Sequence, residues 1–235
     1  MREDYTDLTI LLDRSGSMSS VKADMEGGFN DFMESQKKLP GELRVSLYQF
    51  DTEYERVYAS LDVKEVPKLH LHPRGMTALY DALGRAIDDT GDRLRRMAEK
   101  DRPGKVMFMV ITDGCENASK ERTSEQVKKL VERQEKEWAW TFVYLGANVD
   151  AFAAGASIGV AHTHAANYSP TAGGIQNMMH VNSIKMASYR AASSGVSGQS
   201  CMVYNDSDRD QMMDQGQFIH EATKCSVKKK STSVE

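Results

Sequence analysis

The run Leu8-Thr9-Ile10-Leu11-Leu12 leads straight into Asp13-Arg14-Ser15-Gly16-Ser17, and this junction constrains the fold more than any other stretch. Five apolar or β-branched residues without polar alternation read as a strand buried on both faces, as in a parallel sheet. The strand ends by presenting one carboxylate and two hydroxyls on a tight turn. These are hard oxygen donors, and two of the three are neutral. Such a set suits Mg²⁺, which takes about six oxygens in octahedral array and keeps water-filled positions. Mn²⁺ or Ca²⁺ could substitute. With few protein carboxylates the cation stays under-neutralised. It then attracts an outside anion, such as an Asp or Glu side chain of a protein partner.

Strand and helix patterns alternate over roughly the first 160 residues. Ser17 to Lys38 reads as a helix, with Val21, Met25, Phe29, Phe32 and Met33 near one face and Ser19 or Ser20 as N-cap. Gly27-Gly28 interrupt it, which close packing on the sheet would offset. Leu43 to Phe50 is a second strand and Val57 to Val63 a third. The short link Asp51 to Tyr54 makes them a hairpin, so the third strand runs antiparallel. Thr77 to Lys100 is a long amphipathic helix and Val106 to Ile111 a fourth apolar strand. Ser124 to Lys136 is a helix. Trp138 to Leu145 is a fifth strand, with Trp138, Trp140, Phe142 and Tyr144 on one face as core packing. A short sixth strand is expected near Ser157 to Val160, and a helix over Ala172 to Ala192. Helices following successive parallel strands build a doubly wound α/β sheet with helices on both faces. The expected organisation is a domain over residues 1–165, a C-terminal helical extension over 166–192, and a weakly ordered tail over 193–235. That tail is rich in Ser, Gln, Asp and Lys and has few apolar anchors.

In a doubly wound sheet, ligands bind beyond the carboxyl ends of the strands, where strand order reverses. Two further segments reach such an edge. Gly75-Met76-Thr77 opens the long helix and exposes the Thr77 hydroxyl at its start. Thr112-Asp113-Gly114 ends the fourth strand, as Asp13 ends the first. The candidate metal set is therefore Asp13, Ser15, Ser17, Thr77 and Asp113. The pattern D-x-S-x-S-M, then G-x-T at a helix start, then I-T-D-G after a strand, resembles the von Willebrand factor type A (vWA) domain and its metal-ion-dependent adhesion site (MIDAS). Softer likeness to stand-alone bacterial and phage members lies in Leu145 to Ala151 and in Ser188-Tyr189-Arg190. The resemblance covers roughly residues 5 to 165. It implies a mostly parallel six-stranded sheet of order 3-2-1-4-5-6 with one antiparallel edge strand. It also implies that Ser15, Ser17 and Thr77 ligate directly, that Asp13 and Asp113 bind the metal directly or through water, and that a partner's carboxylate takes the open position.

Other features bound the function. A net charge of -4 argues against nucleic acid or anionic membrane as a partner, and Lys228-Lys229-Lys230 reads as a solvated run. No segment approaches the ~20 apolar residues of a membrane span. Met1-Arg2-Glu3-Asp4 is charged, and no signal-peptide core follows it. The three scattered cysteines, Cys115, Cys201 and Cys225, fit a reducing cytoplasm better than a disulfide framework or a zinc site. Asp51 and Glu116 are expected near the metal edge. His70, His72, His162 and His164 read as solvated or hydrogen-bonded, since neither pair has the partners of a zinc site. The leading expectation is a metal-dependent protein-binding module without catalytic activity. The alternatives are a metal-assisted hydrolase or phosphatase, or a structural subunit of a phage or stress-response complex. Aspartyl-phosphate enzymes carry an acid two residues beyond the first, where this chain has Ser15. The sequence holds no Walker-type loop, G-x-S-x-G elbow or H-E-x-x-H.

Overall fold

The computed structural model describes residues 1–213. Its centre is β1 (Arg2–Asp13), flanked by β2 (Glu42–Phe50) and β4 (Pro103–Thr112). With β3 (Tyr54–Asp62), β5 (Thr141–Gly146) and β6 (Ala165–Asn167) they form a six-stranded sheet of order β3-β2-β1-β4-β5-β6. Every pairing is parallel except β2 with β3. The inferred hairpin and the strand order implied by the resemblance are both present.

The continuous apolar strands follow from burial on both faces. Leu8, Ile10 and Leu12 of β1 share one core with α1 (Lys22–Lys37) and α5 (Ala172–Ala191). Leu11 of β1, with Phe108 and Phe142, faces α2 (Leu79–Arg95) and α3 (Ser124–Trp138) across the sheet. The short α4 (Ala151–Ser157) contributes Ala151 to that second core. A polar clamp also holds α2 to β1. Arg93 donates two bonds of 2.8 Å to the buried Asp7, and Thr90 meets Thr9 at 3.4 Å.

Several local expectations need correction. A 3₁₀ turn, Gly16–Val21, precedes α1, whose N-cap is Val21 and not Ser19 or Ser20. Gly28 packs against α5 instead of the sheet: a Cβ there would lie 3.0 Å from Met179 Cγ. Gly27 faces open space. Trp138 closes α3 and is 57% exposed, while Trp140, Phe142 and Tyr144 are buried as expected. The sixth strand is Ala165–Asn167, because Ser157 still belongs to α4 and Gly159 takes a positive φ of 90°.

The largest difference lies in the C-terminal part. The helix α5 is no appendage: it covers one face of the sheet beside α1, and Arg190 donates to the backbone carbonyls of Gln36, Pro40 and Gly41. Beyond residue 193, where weak order was expected, the chain forms α6 (Val196–Cys201) and α7 (Asp206–Met212). Met202, Tyr204 and Met212 are buried in the core beside α5. The Tyr204 hydroxyl donates to Asn182 Oδ1 at 2.6 Å, and the Ser169 amide donates to Met212 O at 3.0 Å. The remaining tail, with Asp214, Cys225 and Lys228–Lys230, lies outside the described residues. No described helix is long and apolar enough to cross a membrane.

Met212→Ala removes a fully buried side chain. It should cost about 2–5 kcal/mol in chemical denaturation. An unchanged midpoint would mean that this arm contributes nothing to the core.

Candidate metal centre

Strand order reverses between β1 and β4, so the crevice beyond their carboxyl ends is where a doubly wound sheet binds ligands. Asp13 is the last residue of β1, and Asp113 follows the last residue of β4. Both are buried. Asp13 Oδ1 accepts the Ser15 amide at 2.6 Å, and Oδ2 accepts the Thr112 hydroxyl at 2.6 Å. Ser17 Oγ donates to Asp113 Oδ1 at 2.6 Å and lies 3.1 Å from Ser15 Oγ. Thr77 Oγ1 and Ser17 Oγ converge on Gly114: a Cβ on that glycine would stand 3.6 and 3.7 Å from them. The structure thus brings all five sequence-predicted residues to one edge.

The loops that carry them are fastened to each other. The Arg74 amide donates to Arg14 O at 2.8 Å and the Gly16 amide to Gly75 O at 3.2 Å, so the segment before Thr77 runs against the Asp13–Ser17 turn. Gly75 has φ of 67°, in the left-handed region where glycine is favoured. The Thr77 amide donates to Asn117 Oδ1 at 2.9 Å, while Thr77 O accepts the amides of Asn117 and Ala118. Glu116 braces the same loop. Its carboxylate accepts the amides of Ala118, Ser119 and Tyr80, which turns it to local structure and not to the metal edge.

Helix capping does not account for the hydroxyls. Ser15 is the N-cap of the 3₁₀ turn yet makes no side-chain cap bond, and α2 is capped at Ala78, one residue past Thr77. The donor chemistry instead fits a hard divalent cation. At a metal–oxygen distance of about 2.1 Å, neighbouring octahedral ligands lie roughly 3 Å apart. The Ser15–Ser17–Asp113 oxygens follow one another at 3.1 and 2.6 Å. Among the described residues no three His, Cys, Asp or Glu side chains cluster as a metal set. A site of two carboxylates and three hydroxyls falls outside such a count.

Electrostatics point the same way. Burial pushes the Asp13 carboxyl up to about 6, against the bonds from Thr112 and Ser15, and nearby Asp113 raises it further. Burial also raises Asp113, opposed by the Ser17 hydroxyl. Two desolvated carboxylates at one edge favour a cation that neutralises both.

Other candidates do other work. Thr112, which sequence reasoning had given no role, orients Asp13; its signal was a hydroxyl at the last position of an apolar strand. Cys115 is partly buried two residues past Asp113. His70 and His72 are exposed, His162 stacks on Phe152, and His164 Nε2 pairs with Gln199 O at 3.0 Å. Asp208 pairs with Lys185 and caps α7.

No family model and no curated protein matches this sequence. Solved structures do. The pilus adhesin SpaC from Lactobacillus rhamnosus GG, in an open conformation, is 12% identical with a TM-score of 0.57, over 78% of this chain and 30% of its own. Proximal thread matrix protein 1 from the mussel byssus is 15% identical with a TM-score of 0.53, over 75% of this chain and 44% of its own. Another form of that protein has a zinc-occupied MIDAS motif. A von Willebrand factor type A protein from Catenulispora acidiphila is 13% identical with a TM-score of 0.52, over 78% of this chain and 43% of its own. The chain spans less than half the length of these solved chains. It has the vWA fold.

A carboxyl raised in the folded state destabilises the metal-free protein once ionised. Stability linked to Asp13 is fully present below about pH 4 and is lost as pH rises through about 6, a cost of order 3 kcal/mol. In EDTA at pH 7, Asp13→Asn should therefore melt above wild type, with the gap closing towards pH 4. A wild type that equals or exceeds the variant at pH 7 would contradict this.

Proposed function

We propose that the protein is a metal-dependent protein-interaction module. It holds Mg²⁺ through Ser15, Ser17, Thr77 and Asp113, with Asp13 behind them, and presents the open position to an Asp or Glu carboxylate of a protein partner. The observation that carries this reading is the chain of oxygens Ser15 Oγ, Ser17 Oγ and Asp113 Oδ1 beside two buried carboxylates at one sheet edge. When bound, the cation would supply a Lewis-acidic centre whose direct ligands are mostly neutral hydroxyls and which keeps an open position for an anion. Asp13 would act mainly through position. Both its oxygens already accept bonds, which leaves it suited to ordering the Ser15 turn and to meeting the metal through water.

A cleft of about 340 Å³ adjoins Thr77. It is walled by Tyr54, Met76, Ala78 and Ala82 and by the loop from Asn117 to Glu121. Met76 is 52% exposed on its rim. The side chains that flank a partner's carboxylate would be read here, and this cleft would set specificity where the metal alone is generic. The zinc-occupied motif of the mussel protein and the pilus adhesin SpaC support a binding role by analogy of fold.

Catalysis is the weaker reading. Ser17 does pair with a carboxylate, but a carboxylate is too weak a base to activate a serine hydroxyl by itself. The functional unit is read as residues 1–213 in place of the division at 165 and 192, because α5 to α7 share the core of the sheet. Three scattered cysteines, too few and too far apart in sequence for a disulfide framework, suit a reducing cytoplasm.

Affinity capture with the full chain in Mg²⁺ should retain a protein that EDTA releases and that Asp13→Ala fails to hold. Neutralising a single Asp or Glu of that protein should abolish its capture. Retention in EDTA, or by Asp13→Ala shown by circular dichroism to be folded, would contradict the mechanism. Metal-dependent turnover of phosphoesters or peptides would favour the hydrolase.

A further inference from the structure

Arg14 sits inside the metal turn, between Asp13 and Ser15, and brings a full positive charge to a place meant for a cation. Its side chain is 5% exposed. Nε donates to Asp51 Oδ2 at 3.0 Å, and Nη1 donates to Glu55. The guanidinium is thereby turned away from the aspartates of the site and towards the β2–β3 hairpin.

Asp51 follows the last residue of β2 and is buried. Besides Arg14, its carboxylate accepts Arg74 Nε at 2.9 Å and the Glu53 amide at 2.6 Å. Its backbone carbonyl accepts the Ala78 amide at 2.9 Å. One residue outside the ligand set thus grips the turn after β1 through Arg14 and the Thr77 segment from both sides, through Arg74 and Ala78. The fit around it is close: a Cβ on Gly75 would lie 3.4 Å from Asp51 Cβ.

Hydroxyl ligands are neutral and individually weak, so their affinity for a cation depends on being held at ligating separation before it arrives. We infer that Asp51 is the positioning residue of the metal centre: its buried pair with Arg14 and its bonds to Arg74 and Ala78 hold the Ser15–Ser17 turn against Thr77 and cancel the Arg14 charge beside the cation. This rests on the metal-binding reading proposed above. Asp51 acts through Arg14 and the loops and is not itself a ligand.

The test is Mn²⁺ binding to the full chain, followed by electron paramagnetic resonance of the free ion, for wild type, Asp51→Asn and Arg14→Lys. Each variant is also melted in EDTA, and binding is measured well below its melting temperature. Asp51→Asn keeps the shape and removes the charge. Arg14→Lys keeps the charge but cannot bridge Asp51 and Glu55 with one fork. Loss of groups that orient ligands costs about 10- to 100-fold in metal affinity. Weakening of that size in folded Asp51→Asn, with Arg14→Lys shifted in the same direction, supports the inference. A purely structural role would lower the EDTA melting temperature and leave Mn²⁺ affinity unchanged, and that result overturns it. If Asp51→Asn fails to fold, wild-type affinity in Arg14→Lys overturns the inference on its own. A wild type that binds no Mn²⁺ defeats the metal reading itself and this inference with it.

Discussion

Parallel pairing of β1 with β4, in register from Thr6–Lys105 to Leu12–Ile111, brings two strand ends from distant parts of the chain to one edge. The Thr112 hydroxyl then reaches Asp13 Oδ2 at 2.6 Å across a sequence separation of 99 positions. The rest of the candidate centre hangs on that juxtaposition. The Ser15–Ser17 turn follows β1, Asp113 follows β4, and the Thr77 segment is held to the first by backbone bonds with Arg14 and Gly16 and to the loop after β4 by bonds from Asn117 and Ala118. Two apolar cores, one on each side of the sheet, keep these ends from moving apart.

Two aspartates of β1, equally buried, differ in what offsets their charge. Asp7 and Asp13 alternate onto the same face of the strand and both are fully buried. Asp7 receives a two-bond fork from Arg93, which offsets its desolvation within the protein. Asp13 receives a hydroxyl, an amide and the like-charged neighbour Asp113. The cation adjacent to it in sequence, Arg14, is committed to Asp51 and Glu55. A divalent ion at this edge would do for Asp13 and Asp113 what Arg93 does for Asp7. Because three of its ligands are neutral hydroxyls, the ion would keep an open, Lewis-acidic position to offer a partner.

Much of this was legible in the sequence because the signals are local. Continuous apolar runs marked the strands, the short Asp51–Tyr54 link marked the hairpin, and the spacing of Asp13, Ser15, Ser17, Thr77 and Asp113 marked the edge. The misread features depend on contacts made far along the chain or on unusual backbone. The helix α3 ends at an alanine in the left-handed conformation, φ 53°, where glycine would be the usual signal, so Trp138 was assigned to the next strand. Three residues of β6 are too few for a period. Met202, Tyr204 and Met212 are isolated anchors in a polar stretch, and their burial appears once α5 lies against them. Arg14 likewise looks like a solvated turn residue until Asp51 is seen beneath it.

The proposed function stands on the oxygens of Ser15, Ser17, Thr77 and Asp113 binding one divalent ion. A crystal of the protein grown or soaked in Mn²⁺ tests it most directly, by anomalous difference density at the manganese edge. One strong peak is expected within about 2.0–2.4 Å of Ser15 Oγ, Ser17 Oγ, Thr77 Oγ1 and an Asp113 carboxylate oxygen, with the Asp13 carboxylate behind it. A clear edge with no peak, or manganese bound only at other carboxylates or histidines, would contradict it.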